Sequence, residues 1–251
     1  MTFLPKFLTQ PLSSLYRFCI SLIICLVCSS TATAATQLVL ADIADQLPPS
    51  LMARQILLQA YAQLAIEIKI LELPNSRIKA MLENQSIDGM VYRLADSPLY
   101  DLQKITPALT YEEFAVFTVQ KNFTVAGYSS LTPYLNGYRA GSKVLDDNLQ
   151  GMRIETAPSM DSLFKKLAAG RTDTVIESRG SYCRVKKLGL DQIIMLEPAL
   201  DKILGYHWLS ARHQDLIPRL SAVLKKMEKD GSIRKIQEQT WKTYNANCAG
   251  A

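Results

Sequence analysis

The sequence predicts an α/β fold of two similar lobes, each a mostly parallel sheet flanked by helices. Three observations carry that expectation. Short apolar runs alternate with stretches of helical periodicity, as strands do with the crossover helices that cover them. One local pattern occurs twice: Asp88-Gly89-Met90-Val91-Tyr92-Arg93 and Asp173-Thr174-Val175-Ile176-Glu177-Ser178-Arg179 each follow an amphipathic stretch, open on an aspartate and end on an arginine. The 251 residues, 48% of them hydrophobic, suffice for one large core or two small ones.

Taken in order, Leu38-Val39-Leu40-Ala41 reads as a strand ending at Asp42. Pro48-Pro49 separates it from a helix in which Met52, Ile56, Ala60 and Leu64 share one face. Glu67 to Leu73 alternates polar with apolar like a strand, and Pro74-Asn75-Ser76 opens a helix carrying Ile78, Met81 and Leu82. The run from Ile87 to Tyr92 completes a strand-helix-strand-helix-strand series. Phe114 to Val119 is a further strand, and the polar stretch from Gln120 to Ser130 reads as the passage between lobes.

A second alternation begins there. Strands are expected at Tyr138 to Ser142, Met152 to Thr156 and Val175-Ile176, with a helix from Pro158 to Ala169 that buries Leu163, Phe164 and Leu167. A helical stretch through Lys187, the run Ile193 to Leu196 and a strand from Ile203 to Leu209 follow. Two helices end the chain, divided by Asp230-Gly231-Ser232. The expected organisation is thus a leader over 1–35, the first part of lobe 1 over 36–120, lobe 2 over 121–203, and a return strand, terminal helices and tail over 204–251.

The leader reads as a cleavable secretory signal. Lys6 and Arg17 precede the apolar run from Phe18 to Val27, and Ala32-Thr33-Ala34 offers cleavage near Ala34 or Ala35. The run is too short to span a bilayer, which needs roughly 20 residues, and Val27 before Cys28 does not suit a lipid anchor. The periplasm is the expected compartment. Of the 28 basic side chains, those of Lys6 and Arg17 leave with the leader, so 26 face 23 acidic ones. So slight an excess argues for neither nucleic acid nor a membrane surface as partner. Cys183 and Cys248 are the cysteines that remain, an even number in an oxidising compartment; they read as a disulfide, with unpaired thiols as the alternative.

Four phrases carry a family resemblance: Leu82 to Asp88 leading into a strand, Leu135 to Gly141, Leu167 to Asp173, and Met227 to Ile233. In their order and spacing, over about residues 37–245, the chain resembles the family 3 solute-binding proteins of bacterial uptake systems. The resemblance implies the periplasmic-binding-protein type II fold, with two hinge strands joining the lobes and a small ligand closed between them. It also implies a monomer that serves an inner-membrane ABC-type permease or, alternatively, a membrane sensor receptor. Amino-acid binders of that family hold the ligand carboxylate with a Thr-x-x-Arg phrase, where this chain has Ser97-Pro98-Leu99-Tyr100. They hold the amino group with an aspartate where this chain has Ser178. With both ends of that clamp replaced, the expected ligand is a small polar or acidic solute and not an ordinary α-amino acid.

The candidate ligand residues follow from strand ends, because open α/β sheets bind ligands beyond the carboxyl ends of their strands. Arg93 and Tyr92 end one such strand, and Glu177, Ser178 and Arg179 end its counterpart. Arg93 reads either as a ligand contact or as a clasp to Asp96 or Glu112. Asp42 follows the first strand and Tyr111 and Glu112 precede the strand that enters the hinge, each reading as a ligand contact or a structural hydrogen bond, and Arg77, near the start of the second helix, reads as a surface arginine or as one aimed at the same opening. Tyr206-His207-Trp208 reads as a core aromatic cluster. His207 and His213 lack metal-ligand spacing, so neither a metal nor a cofactor is expected. Gly137 to Lys143 is one residue too short for a phosphate loop, and no Gly-x-Ser-x-Gly elbow is present. Some relatives on this scaffold are dehydratases, for which Glu177 or Glu112 would be the acid or base; the expectation is a binder and not an enzyme.

Overall fold

The computed structural model describes residues 37–94, 101–120 and 123–249. The first half of the chain forms β1 (Gln37–Ile43), α1 (Pro48–Gln63), β2 (Glu67–Leu73), α2 (Asn75–Glu83) and β3 (Gly89–Arg93). After the long β4 (Leu102–Thr118) come β5 (Asn136–Arg139), α3 (Lys143–Asn148), β6 (Ile154–Ala157), α4 (Met160–Ala168), β7 (Thr174–Ser178), α5 (Tyr182–Lys187) and the two-residue β8 (Ile194–Met195). β9 (Asp201–Ser210), α6 (Ile217–Lys229) and α7 (Ser232–Ala249) complete the chain.

The strands form one nine-stranded sheet in the order β2-β1-β3-β9-β4-β7-β5-β6, with β8 on β4. Within it the same three-strand unit occurs twice. In each, the first strand lies between the other two and runs parallel to both: β1 between β2 and β3, and β5 between β6 and β7. The repeated aspartates belong to this unit. Asp88 takes the backbone N–H of Val39 on a carboxylate oxygen at 2.7 Å and returns its own N–H to the Val39 carbonyl at 2.7 Å. Asp173 does the same with Leu135, at 2.9 Å in both directions. Each aspartate thereby ties the approach to the third strand onto the first, which explains its place before each apolar run. In the first half Arg212 and His213 also bond Asp88, at 2.7 and 2.5 Å.

Both faces of each half are covered. Leu38, Leu40 and Val91 pack under α1, α6 and α7, and Ala41, Ile87 and Met90 pack under α2 on the opposite face. In the second half Val116, Tyr138 and Ile176 meet Leu145 and Leu149, while Ala115, Phe117 and Val175 meet Leu163, Phe164 and Leu167 of α4. Burial on both faces is why these strands are near-continuous apolar runs. His207 is fully buried in the first half, its Nδ1 2.7 Å from the Met90 carbonyl and its Nε2 2.9 Å from the Tyr61 hydroxyl.

β4 and β9 run antiparallel through both halves: Leu102 pairs with Ser210 in the first and Phe114 with Asp201 toward the second. They are the two joining strands the resemblance implies. β4 starts at Leu102 where the apolar run alone gave Phe114. Pro107 explains the shortfall: it interrupts the strand pattern, and the ladder absorbs it in a register shift between Ile105 and Thr110. A second difference is α3, which takes up Lys143 to Asn148 just after the strand expected to reach Ser142. Among the described residues no helix is long and apolar enough to cross a membrane.

Candidate functional site

The carboxyl ends of β1, β3, β5 and β7 deliver a cluster of ionisable side chains to the junction of the two halves. On the first half, buried Asp42 accepts hydrogen bonds from Ser50 Oγ and Arg54 Nε of α1 and from the N–H of Ile43. Arg54 also binds Glu72 near the end of β2, so this guanidinium fastens α1 to two strand ends. Asp45, in the turn after β1, takes the Leu47 N–H at 3.3 Å.

Arg139, at the end of β5, reaches across from the second half. Its Nη2 lies 3.5 Å from Asp45, and its Nε and Nη2 lie 3.2 and 3.5 Å from the two oxygens of Glu177. Glu177 also accepts the N–H of Ser178 at 3.0 Å, and Ser178 Oγ donates to Glu112 of β4 at 2.6 Å. Tyr92 adds its phenol from β3. It lies close over β9 because residue 205 is glycine: a Cβ there would stand 3.0 Å from the Tyr92 ring and 2.7 Å from Thr110. A second close approach joins the halves nearby, since a Cβ on Gly180 would stand 2.6 Å from Pro48 at the start of α1.

Burial governs the protonation of Glu112, Asp45 and Tyr92. Desolvation raises Glu112 to about 8; Glu177 and Asp45 add to the rise, while Ser178 and Arg139 oppose it. Glu112 therefore holds its proton at neutral pH. Asp45 is also raised by desolvation, against the pull of Arg139. The Tyr92 phenol stands well above its ordinary value, through burial and then through Asp45, Glu112 and Asp42. Glu177 foremost, and then Asp45, keep Arg139 firmly protonated against the cost of its burial.

Five of the expected site residues thus meet here: Asp42, Tyr92, Glu112, Glu177 and Ser178. Arg93 is half-buried at the end of β3, opposite Tyr206, and is engaged within the fold. Asp96 and Tyr100 lie outside the described residues. Arg77 is exposed on α2. Arg179 and Tyr111 go elsewhere. Arg179 bonds Glu113 at 3.3 Å and Glu197 at 2.5 and 2.6 Å. With Tyr111, Tyr182, Trp241 and Tyr244 it lines a separate cavity of about 400 Å³ against α7, and none of the clustered carboxylates is among its walls. Two local causes separate them from the cluster: Glu112 lies between Tyr111 and Glu113 on an alternating strand, and a 3₁₀ turn over Arg179–Ser181 follows β7.

Five residues that build the cluster were missed by sequence reasoning: Asp45, Ser50, Arg54, Glu72 and Arg139. Arg139 had a signal, because Tyr138-Arg139 ends β5 just as Tyr92-Arg93 ends β3. Cys183 on α5 and Cys248 on α7 are free thiols in this structure and adjoin one another. Among the described residues no group of three or more His, Cys, Asp or Glu side chains could hold a metal ion.

The fold has many solved counterparts. ArgBP from T. maritima, in a mutant form, superposes with a TM-score of 0.64 at 14% identity, over 82% of this chain and 95% of that one. The amino acid ABC transporter substrate-binding protein AbpA from Streptococcus pneumoniae, bound to L-arginine, gives 0.65 at 14% identity over 83% and 95%. A histidine kinase sensor domain similar to periplasmic binding proteins gives 0.67 at 14% identity over 81% and 95%. By sequence, an uncharacterized protein of Shewanella oneidensis is 23% identical over 197 residues, 74% of this chain and 75% of that protein. No family model matches the chain. At such identities the structural likeness shows the periplasmic-binding-protein-like α/β fold.

Proposed function

We propose that the chain is an exported solute-binding protein that captures a small polar molecule between two lobes and closes over it by hinge motion, without chemical transformation. One lobe comprises residues 36–120 with the return strand and helices of 204–251, and the other residues 121–203. The observation that carries this reading is the meeting of Asp45, Tyr92, Arg139 and Glu177 from both halves, at the carboxyl ends of parallel strands. β4 and β9 supply the hinge, and bridges as long as those of Arg139 can be exchanged for a ligand's polar groups. The likeness to AbpA supports delivery to an ABC-type permease in the periplasm. The likeness to a kinase sensor domain supports a second reading, in which the closed form engages a membrane receptor.

A ligand that binds only the folded chain raises its stability, by about 2.7 kcal/mol at a hundredfold excess over Kd. A thermal-shift screen of a broad library of amino acids, organic acids, amines, sugars and short peptides is therefore expected to give a saturable rise in melting temperature. Glu177→Ala and Asp45→Ala are expected to reduce that rise. A library without a hit contradicts capture; a hit that ignores both variants puts the ligand outside this crevice.

A further inference from the structure

The charges of the crevice restrict what it can hold, an inference that rests on the capture reading above. Asp42, Asp45, Glu72 and Glu177 gather around the guanidiniums of Arg54 and Arg139 with the protonated Glu112 beside them, and these four carboxylates still outnumber the cations when Arg93 is counted. Asp42 and Glu72 share Arg54. That leaves Asp45 and Glu177 to Arg139, which is held at 3.2 to 3.5 Å where a close charge-assisted bond measures about 2.7–2.9 Å. The guanidinium is stretched between carboxylates of both halves and satisfies none of them closely.

An anionic ligand would bring one more negative charge into this group, and a neutral one would leave the excess uncorrected. We propose that the crevice takes the cationic head of a small amine or guanidine, held by Asp45 and Glu112 while Arg139 keeps Glu177. Arg139 bridges Asp45 and Glu177 where that head would enter.

A linked proton follows. Glu112 is faced by Ser178 and Glu177 from β7, Asp45 from the turn after β1, Arg139 from β5 and Tyr92 from β3. Burial among those carboxylates leaves it protonated up to about pH 8. A cation beside it favours the ionised form, so binding expels the proton, and affinity rises with pH by up to about tenfold per unit below that value.

The test uses the purified chain with agmatine, putrescine, glutarate and glucose at equal concentration. Agmatine or putrescine is expected to raise the melting temperature, and glutarate and glucose are not. Calorimetry of the stabilising cation at about pH 6, 7 and 8, in two buffers of different ionisation enthalpy, is expected to show proton release and tightening affinity. Glu112→Gln should flatten the pH dependence, and Asp45→Asn should weaken binding at every pH. Stabilisation by glutarate or glucose alone overturns the cation assignment and leaves solute capture standing. Cation binding that is independent of pH and indifferent to both variants overturns it too. Silence from all four probes also overturns it, while the broad library screen decides the capture reading on its own.

Discussion

Arg139 at the end of β5 lies 3.5 Å from Asp45, beyond the end of β1, while its Nε holds Glu177 at 3.2 Å. One guanidinium thereby joins two halves of a sheet, β1 to β3 from the first part of the chain and β5 to β7 from its middle. Arg139→Ala leaves both carboxylates largely buried and without that countercharge. Urea unfolding is expected to show a loss of about 1–3 kcal/mol, with part of it restored when Glu177→Gln is added. An unchanged midpoint would mean that the bridge contributes nothing in solution.

Glu112 sets a pH dependence of stability whose sign is fixed. Its proton is held to about 8 in the folded chain and to the ordinary carboxylate value of 4.5 when unfolded. Between those values the folded chain binds the extra proton, so stability falls as pH rises from about 4.5 to 8, by up to about 1.4 kcal/mol per unit. Asp45, raised in the same direction by burial, adds to the decline from its ordinary value of 3.8 upward. Melting temperatures across the range should decline in the wild type and flatten in Glu112→Gln. Parallel profiles would place the titration elsewhere.

His207 works in the acid range. Burial lowers it from 6.5 to about 4, so its contribution is complete above pH 6.5 and is lost as pH falls through 4. The Met90 carbonyl accepts from Nδ1–H, which leaves Nε2 to accept from the Tyr61 hydroxyl. Nitrogen-15 NMR is expected to show a neutral Nδ1–H tautomer at pH 5, where an exposed histidine is charged. An imidazolium signal for His207 at that pH would contradict the buried pair.

Much of this fold was legible in the sequence. The succession of strands and helices within each half follows from apolar runs separated by helical stretches, and the two aspartates do mark matching positions, as Asp88 on Val39 and Asp173 on Leu135. The front of β4 was hidden by Pro107. The site was legible only in part, because strand ends can be located while the direction a side chain takes after them cannot. Arg179 follows the same pattern as Arg93, yet a 3₁₀ turn hands it to Glu113 and Glu197. Asp45 lies in a turn without periodicity, and its bond to Arg139 joins residues far apart in sequence, a pairing that no local spacing encodes.

The adjoining thiols carry a prediction about oxidation. Cys183 lies on α5 of the second half, whereas α7, which bears Cys248, sends Ile233 and Ile236 into the first-half core. In an oxidising compartment a Cys183–Cys248 disulfide is expected, and it would staple the two halves through α7. In the chain-entropy model, closing so long a loop contributes about 4 kcal/mol. Alkylation in denaturant followed by intact mass measurement should find neither thiol labelled in oxidised protein and both labelled after reduction. Full labelling without reductant would show two independent thiols.

The most direct test of solute capture is a crystal structure of the chain grown with the strongest ligand from the thermal screen. The ligand should lie between Asp45, Glu112 and Glu177, with Arg139 drawn off Asp45. Density in the cavity of Trp241 and Tyr244, with Arg139 still bridging Asp45 and Glu177, would contradict the crevice as the binding site.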